Sequence, residues 1–535
     1  LVGNLLEILD WNISEYQDSV AIAESHRTIT YGQLNKLSNG YLRVLKEWGV
    51  QEHDIVAIEM DRSIEAIAAM IAIWRAGGAY TVINKDYPDT RKQLMREILS
   101  VDFTIDESLY VLPASGEQPE KPVHRSSEHL SYVIFTSGTT SLPKAVGIPD
   151  RAVIRLLGEK RLGLSPGKTI SHISQLEFDA SIIEIWGGLL SGMTLALLTK
   201  TEVLNVYTVE HRINQGIDMM WITCSLFNFW VDKKPGMFKK LSHVIVGGEQ
   251  LSLSHVKKAL QYTKVINGYG PTENTVFTTL DVMEGDADEI RIGTPIHGTC
   301  TYVVNEQGEC SNEGELYVSG LGLALGYINN PEKTEESFVK WNGMDVYRTG
   351  DLVRLDRTGK LEYIGRRDTQ VKINGYRIDL QELEYTVKFL GVENCHAFVK
   401  DKKVYLAITS SYEKLADDLK KHLPMYMIPS KIVEVETLAL TANGKMDTRA
   451  LYEEHFVPKS VKLTNVISKY LDSSQLEVHS NLFEFGLDSV TVWEISRDIN
   501  ETFNADLSFF DIIQNPSVHE ILNVLGEKKY AANHL

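Results

Sequence analysis

The stretch Phe135–Lys144, FTSGTTSLPK, sets Gly138 and a run of hydroxyl side chains (Thr136, Ser137, Thr139, Thr140) between the apolar YVIF and a lone lysine. Hydroxyls, free backbone N–H groups and the Lys144 charge together suit a polyphosphate. The GxxxxGK[ST] spacing is absent, so this is no Walker loop. By itself the stretch also reads as an ordinary surface connection. Its position weighs against that, because it leaves the end of a β-type run, and in layered α/β sheets ligands bind at the carboxyl ends of the strands.

Such layering is written on both sides of the loop. DIVAIEM reads as a strand; Ile64, Ile67, Ala68 and Ile71 then recur at helical spacing, Gly77-Gly78 closes the helix, and AYTVI starts the next strand. The same rhythm returns through LSYVIF, GMTLALL, IDMMWITC, SHVIV and KVING, which predicts layered α/β sheets from residue 1 to about 365. After GRRD the texture changes: TQVKINGYRI is β-like, DLQELEYTVKFLG helical and KVYLAITS β-like again. Past the polar connector HFVPKSVK the chain turns helical, with Val492, Ile495, Ile499 and Phe503 forming an apolar stripe. The expected fold class is α/β in three domains: a large layered α/β region (1–367), a small α+β region (368–456) and an all-helical bundle (460–530).

Composition agrees with a globular chain: 535 residues, 43% hydrophobic and 24% charged, more than one core usually supports. The net charge of −18, from 54 basic and 72 acidic residues, argues against nucleic acid or an anionic membrane as partner, so any anionic ligand must be met by local cations. Cys224, Cys300, Cys310 and Cys395 have no metal-ligand spacing and read as reduced thiols. The start LVGNLLEILDW lacks a basic region and a cleavage site, and the absent Met suggests an excised piece. SIIEIWGGLLSGMTLALLT carries Glu184 and three glycines, which suits a buried helix and strand rather than a membrane span. A soluble, cytoplasmic protein is expected.

Ten stretches stand in order along the chain: ITYGQL, RAGGAYTVI, FTSGTTSLPK, FDAS, NGYGPTE, GELYVSGLGLALGY, YRTGDL, GRRDTQVKINGYRID, LPMYMIP and NGKMD. The series resembles the adenylate-forming enzymes, specifically the adenylation domains of nonribosomal peptide synthetases, over nearly the whole chain. Near the C-terminal end, LFEFGLDSV resembles the phosphopantetheine attachment motif of peptidyl carrier proteins.

In adenylation a substrate carboxylate attacks the α-phosphorus of ATP and expels pyrophosphate, so the site must gather anions and neutralise charge on phosphate oxygens. By resemblance, the Thr136–Thr140 stretch and Lys144 hold phosphates, Thr272 donates to phosphate, and Glu273 is the Mg²⁺ ligand. Tyr269, with Gly270 beside it, faces adenine, while Asp351 takes the ribose hydroxyls with Arg366. Lys445 bridges the substrate carboxylate and the nucleotide. Asp368 is implied as the hinge on which the small domain turns between adenylating and thioester-forming poses, and Gly375 as lining the thiol's approach. Ser489, heading a helix whose N-terminus favours a phosphodiester, is the implied attachment point of 4′-phosphopantetheine. Ser141, Ala145, Asn374 and Leu325 depart from the family pattern without removing a proposed catalytic group.

Matching the family's substrate pocket selects Asp179, Ala180, Ile183, Leu226, Ile245, Gly247, Gly268, Val276 and Phe277, with Lys445. Asp179 suits an α-ammonium, and the remaining side chains are apolar, so polar substrates are expected to be rejected. Gly247 and Gly268 leave some width. Valine is the expected substrate, with isoleucine or leucine next. Implied partners are a free amino acid, other synthetase modules such as a condensation-type domain, and a phosphopantetheinyl transferase. An acyl- or aryl-CoA ligase of the same superfamily and an inactive scaffold module are the alternatives. Asp179 and Ser489 count against the first, and Lys144, Glu273, Asp351 and Lys445 against the second.

Overall fold

The computed structural model describes residues 4–114, 123–137, 142–367, 370–438, 446–471, 477–487, 489–503 and 505–532. Two compact units emerge: residues 1–391 with 399–404 and 413–430, and residues 392–398 with 405–412 and 431–535.

In the first unit two sheets enclose a layer of helices. The nine-stranded sheet runs, edge to edge, through Thr294–Pro295, Thr279–Met283, Lys264–Tyr269, His243–Gly247, Met219–Thr223, Thr169–His172, Thr194–Leu197, Val20–Ala23 and Thr28–Thr30. Its middle strands are parallel. The six-stranded sheet is built from Gly326–Tyr327, Lys144–Pro149, Leu130–Thr136, Ala79–Val82, Ile55–Glu59 and Phe103–Asp106. Between them, Ile64–Arg75 is a helix because Ser63 caps it through the Ala66 N–H (3.1 Å) and Gly77, at φ 85°, ends it. Every residue of that helix except Glu65 is buried, as an apolar surface all round requires.

FDASIIEIWGG forms a short helix, Ala180–Ile182, running into a π-helical turn, Ile183–Gly187, and the strand Thr194–Leu197 follows, so the apolar window is an interior helix and strand. A second core lies on the opposite face of the nine-stranded sheet, under the helices Val206–Asn214, Cys224–Lys233 and Leu253–Leu260.

The reading of α/β layering up to residue 365 needs correction. Residues 299–366 form a separate, wholly antiparallel sheet of Thr299–Val304, Glu313–Gly320, Met344–Leu355, Phe338–Trp341 and Leu361–Arg366. Its long strand alternates buried with partly exposed positions, the pattern of a sheet with one solvated face. The hairpin Gln370–Ile373/Tyr376–Asp379 and the helix Leu380–Phe389 complete the part that bears on the site.

In the second unit, residues 405–408 pair in parallel with Lys431–Glu434 over an aromatic core in which Phe398 and Phe456 meet edge to face at 5.2 Å. The C-terminal part is a helical bundle: Lys459–Ile467, Ser489–Phe503, Phe509–Gln514 and Val518–Ala532. Val492, Ile495 and Ile499 are fully buried in its core and Phe503 packs half-buried against it, as the stripe predicts.

Candidate active site

Lys144 opens its strand directly opposite Thr136, the last residue of Leu130–Thr136, so the lysine is delivered by hairpin pairing rather than by a helix. It is buried, with its ammonium 5.3 Å from the Tyr327 ring centroid. Burial, reinforced by the neighbouring Arg377, pushes the Lys144 pKa down to about 8. Ser137 donates through its hydroxyl to the Arg377 carbonyl at 2.8 Å, and the Thr136 hydroxyl is buried without a partner. Gly138, Thr139 and Thr140 lie outside the described residues.

Glu273 sits in the turn Thr272–Asn274, fully buried. Tyr327 donates to its Oε1 and Arg377 to its Oε2, both at 2.9 Å. Burial alone would raise this carboxyl, but Arg377 and Lys144 overcome it and hold the pKa at about 2. Next to Arg377 and Tyr327, the two groups that bond Glu273, opens a cleft of about 150 Å³ lined by five cations, Lys144, Lys333, Arg348, Arg366 and Arg377, against Glu315 and Glu336; Glu273 itself lies behind that lining. In a chain of net charge −18 this is the local positive field an anionic ligand requires. A carboxylate offers about four acceptor positions and Glu273 uses two, so the ionised group retains capacity for a hard cation.

Arg377 stands directly opposite Lys372 on the hairpin. Two like charges in register destabilise a strand pair unless anions are at hand, and here each has its own: Glu273 bonds Arg377, while Asp351 and Asp179 stand near Lys372. The connection is Asn374-Gly375, at φ 52° and 85°, and an Asn-Gly pair supplies the two left-handed residues that a two-residue hairpin turn demands. That accounts for Asn374 where the family pattern has Arg. Gly375 donates its N–H to Glu249 Oε1 (2.8 Å), and Glu249 also takes Lys402 (2.7 Å) and the Ser225 hydroxyl (3.0 Å). Gly375 lies against Gly248 and Thr223.

Asp351 and Arg366 are cross-strand partners, with Arg366 Nη1 at 2.7 Å from Oδ1 and the Tyr269 hydroxyl on Oδ2. The Tyr269 ring is buried and has the Lys372 ammonium 5.9 Å from its centroid. Gly270 admits no side chain, since a Cβ would stand 2.4 Å from the Val276 carbonyl oxygen.

Thr272 donates to Asp179 Oδ2 at 2.7 Å instead of standing free for phosphate. Enclosure raises the Asp179 pKa, with the Thr272 bond pulling the other way. Ala180, Ile183, Ile245, Val276 and Phe277 belong to the same apolar cluster. Leu226 does not: it packs half-buried against the second core. The two glycines leave less width than the sequence suggests. A Cβ on Gly268 would stand 2.5 Å from the Phe277 ring, and one on Gly247 would stand 2.5 Å from the Gly268 carbonyl oxygen.

Thr275 and Val276 both adopt left-handed backbone, φ 55° and 64°, which β-branched residues rarely accept. Arg155 holds them there. Its Nη2 donates to the carbonyls of Asn274 (2.9 Å), Thr275 (2.8 Å) and Phe277 (3.0 Å), and its Nη1 to Thr299. Neither Arg155 nor Tyr327, Arg377 or Glu249 was singled out from the sequence. Arg377 follows an Asn-Gly turn within GRRDTQVKINGYRID, and that placement is the signal that could have found it. Lys445 and Asp368 lie outside the described residues. Ser489 is the first residue of a helix running to Phe503.

The model of the AMP-binding enzyme family matches residues 9–328, and that of the phosphopantetheine attachment site matches residues 461–525. The chain belongs to the AMP-binding enzymes and carries a phosphopantetheine attachment region behind the adenylating part. It is similar to PA1221, an NRPS protein containing adenylation and PCP domains: 31% identity and a TM-score of 0.75, covering 84% of this chain and 97% of that one. The holo form of PA1221, bound to a vinylsulfonamide inhibitor, gives 29% identity and a TM-score of 0.77 over 98% of this chain and 97% of that one. Tyrocidine synthase 3 of Brevibacillus parabrevis is 34% identical over 98% of this chain, which spans only 9% of that protein's length. The chain is thus an adenylating ligase with a carrier region for thioester formation, using ATP, Mg²⁺ and covalent phosphopantetheine. No helix among the described residues is long and apolar enough to cross a membrane.

Proposed function

We propose that this chain activates a compact branched aliphatic amino acid, valine before isoleucine or leucine, as its aminoacyl-AMP and loads it onto phosphopantetheine at Ser489. The observation that carries this reading is the Asp179 carboxylate, bonded by Thr272 and next in the chain to Ala180, on the large apolar core to which Ala180, Ile183, Ile245, Val276 and Phe277 all belong. A carboxylate there receives an α-ammonium, and an apolar wall leaves a polar substrate side chain unpaired.

In this reading the cationic cleft receives the triphosphate, Asp351 and Arg366 hold the ribose, and Tyr269 flanks the adenine. Glu273 would hold Mg²⁺, which neutralises charge on the phosphate oxygens. Thr272 orients Asp179 through its hydroxyl. Lys445 supplies the charge at the reacting carboxylate. The small region 368–456 turns about Asp368, and the carrier occupies 460–530. Gly375, held by Glu249 against Gly248 and Thr223, lies where the thiol arm enters. The chain acts in the cytoplasm as one segment of a longer synthetase, with a condensation-type neighbour and a phosphopantetheinyl transferase as partners.

ATP–pyrophosphate exchange across a panel of amino acids tests the reading, with intact-mass analysis of the carrier after phosphopantetheinylation. Valine is expected to give the highest kcat/KM. Exchange driven by phenylalanine, tyrosine or an acidic residue well above valine, isoleucine and leucine would refute the substrate assignment.

A further inference from the structure

We infer that Lys402 is a positioning residue of the loading half-reaction: acting through the Glu249 carboxylate, it fixes the Asn374-Gly375 turn at the thiol's entry. The inference rests on the place proposed above for Gly375. Two turns of the same kind are involved, and their sequences differ. Asn374-Gly375, at φ 52° and 85°, is the pair that a two-residue hairpin turn selects. Asp401 and Lys402 form the two-residue connection between the strands Cys395–Lys400 and Lys403–Ile408, and they take the same left-handed backbone, at φ 49° and 57°. Aspartate visits that region by bonding its own backbone, but a lysine in the second position, where glycine is standard, is held against its preference. Strain kept where a glycine would relieve it points to a use for the side chain.

That use lies at Glu249. Lys402 Nζ donates to Glu249 Oε2 at 2.7 Å and to the Ser225 hydroxyl at 3.2 Å. Ser225 in turn donates to Glu249 Oε1 at 3.0 Å, the oxygen that also takes the Gly375 N–H at 2.8 Å. The Glu249 side chain is only 7% exposed, whereas that of Lys402 is 55% exposed. A carboxylate withdrawn from water needs a counter-charge, and the hydroxyl and the amide are neutral donors. Among the described residues Lys402 is the ion-pair partner of Glu249. The glutamate therefore gathers three segments far apart in the chain, and the lysine balances its charge while it does so. Without the ammonium, the carboxylate is drawn toward water, and its bond to the Gly375 N–H, which seats the turn, loosens. Neither Lys402 nor Glu249 lines the cationic cleft, so adenylation does not depend on the pair.

The test compares the full chain, in its phosphopantetheinylated form, with K402A and K402G in pyrophosphate exchange, single-turnover loading and thermal unfolding. Both variants are expected to exchange within about twofold of wild type and to load about threefold or more slowly, the scale of one partly exposed ion pair. K402G, which relieves the left-handed turn, should keep the thermal transition of wild type while loading slowly; a lysine that served the fold alone would move the transition instead. In an E249Q background K402A should slow loading little further, because its partner charge is already gone. Loading slowed by less than threefold in either variant, exchange that falls in step with loading, or an equal effect of K402A with and without Glu249 overturns the role of Lys402 and leaves the thiol's entry standing. Should G375A slow exchange and loading alike, Gly375 does not line that entry, and the inference falls with the reading beneath it.

Discussion

Lys144 is a cation whose charge depends on what the site contains. With a pKa of about 8 against an ordinary value of 10.5, it is largely protonated at pH 7 and largely neutral at pH 9 in the free enzyme. KM for ATP is therefore expected to rise as pH climbs through about 8, and steady-state exchange kinetics at several pH values would show it. K144R, whose guanidinium stays charged, should flatten that dependence. The linkage has a definite sign: between the two pKa values the unfolded chain binds more protons than the native one, so this group adds stability as pH rises through the window. Arg155 presents the opposite case, a charge with no catalytic partner. R155K brings one nitrogen to the carbonyls but loses the second, Nη1, that bonds Thr299, and the loss of charge-assisted bonding is expected to cost about 1.5–3 kcal/mol in urea unfolding, with valine-over-leucine selectivity reduced. Lys144, Glu273, Asp179 and Asp351 were named from the sequence because each stands in a family-like motif and carries its charge in its own side chain. Arg155 was not, because its partners are main-chain carbonyls 119 to 122 residues away, and a carbonyl leaves no mark in the residue alphabet.

Among elements, the hairpin that carries Arg377 is the most exposed to a single substitution. Gly375 has φ 85°, and a Cβ there would stand 2.7 Å from Thr223 Cγ2, so G375A strains the turn and pushes it from Glu249 and Gly248. Pyrophosphate exchange is expected to stay within about twofold of wild type while single-turnover loading of the carrier falls about tenfold or more. Equal losses in both assays would place the defect in the adenylation half instead. Asn374-Gly375 was the clearest turn signal in the sequence, and the parallel strands were equally readable from short apolar runs ended by turns. The antiparallel sheet of residues 299–366 was absorbed into the α/β reading, because alternation along each short strand looks the same whichever direction its neighbour runs. Nor could the π-helical turn at Ile183–Gly187 be foreseen, since one residue of over-length leaves the apolar pattern intact.

At the scale of the molecule, activation and loading are assigned to separate stretches of one chain, and two variants separate them. K445A is expected to lower exchange by about a hundredfold or more with the thermal transition unchanged, whereas S489A should retain full exchange and gain no mass with coenzyme A and a phosphopantetheinyl transferase. A mass gain in S489A would move the attachment site elsewhere. The helical tail was readable from its stripe, but the grouping of residues 399–404 and 413–430 with the first unit was not, because compactness is a property of contacts between distant segments. One local feature bears on the whole. Thr275 and Val276 hold a backbone that disfavours them by about 1–3 kcal/mol each, and Arg155 compels them to it. In the proposed reading, where Val276 walls the substrate pocket, discrimination is thus bought with heat tolerance, and the two can be selected apart. A laboratory lineage chosen only for survival at high temperature would drift at these two positions toward glycine or asparagine, and its descendants would be hardier catalysts that make more mistakes.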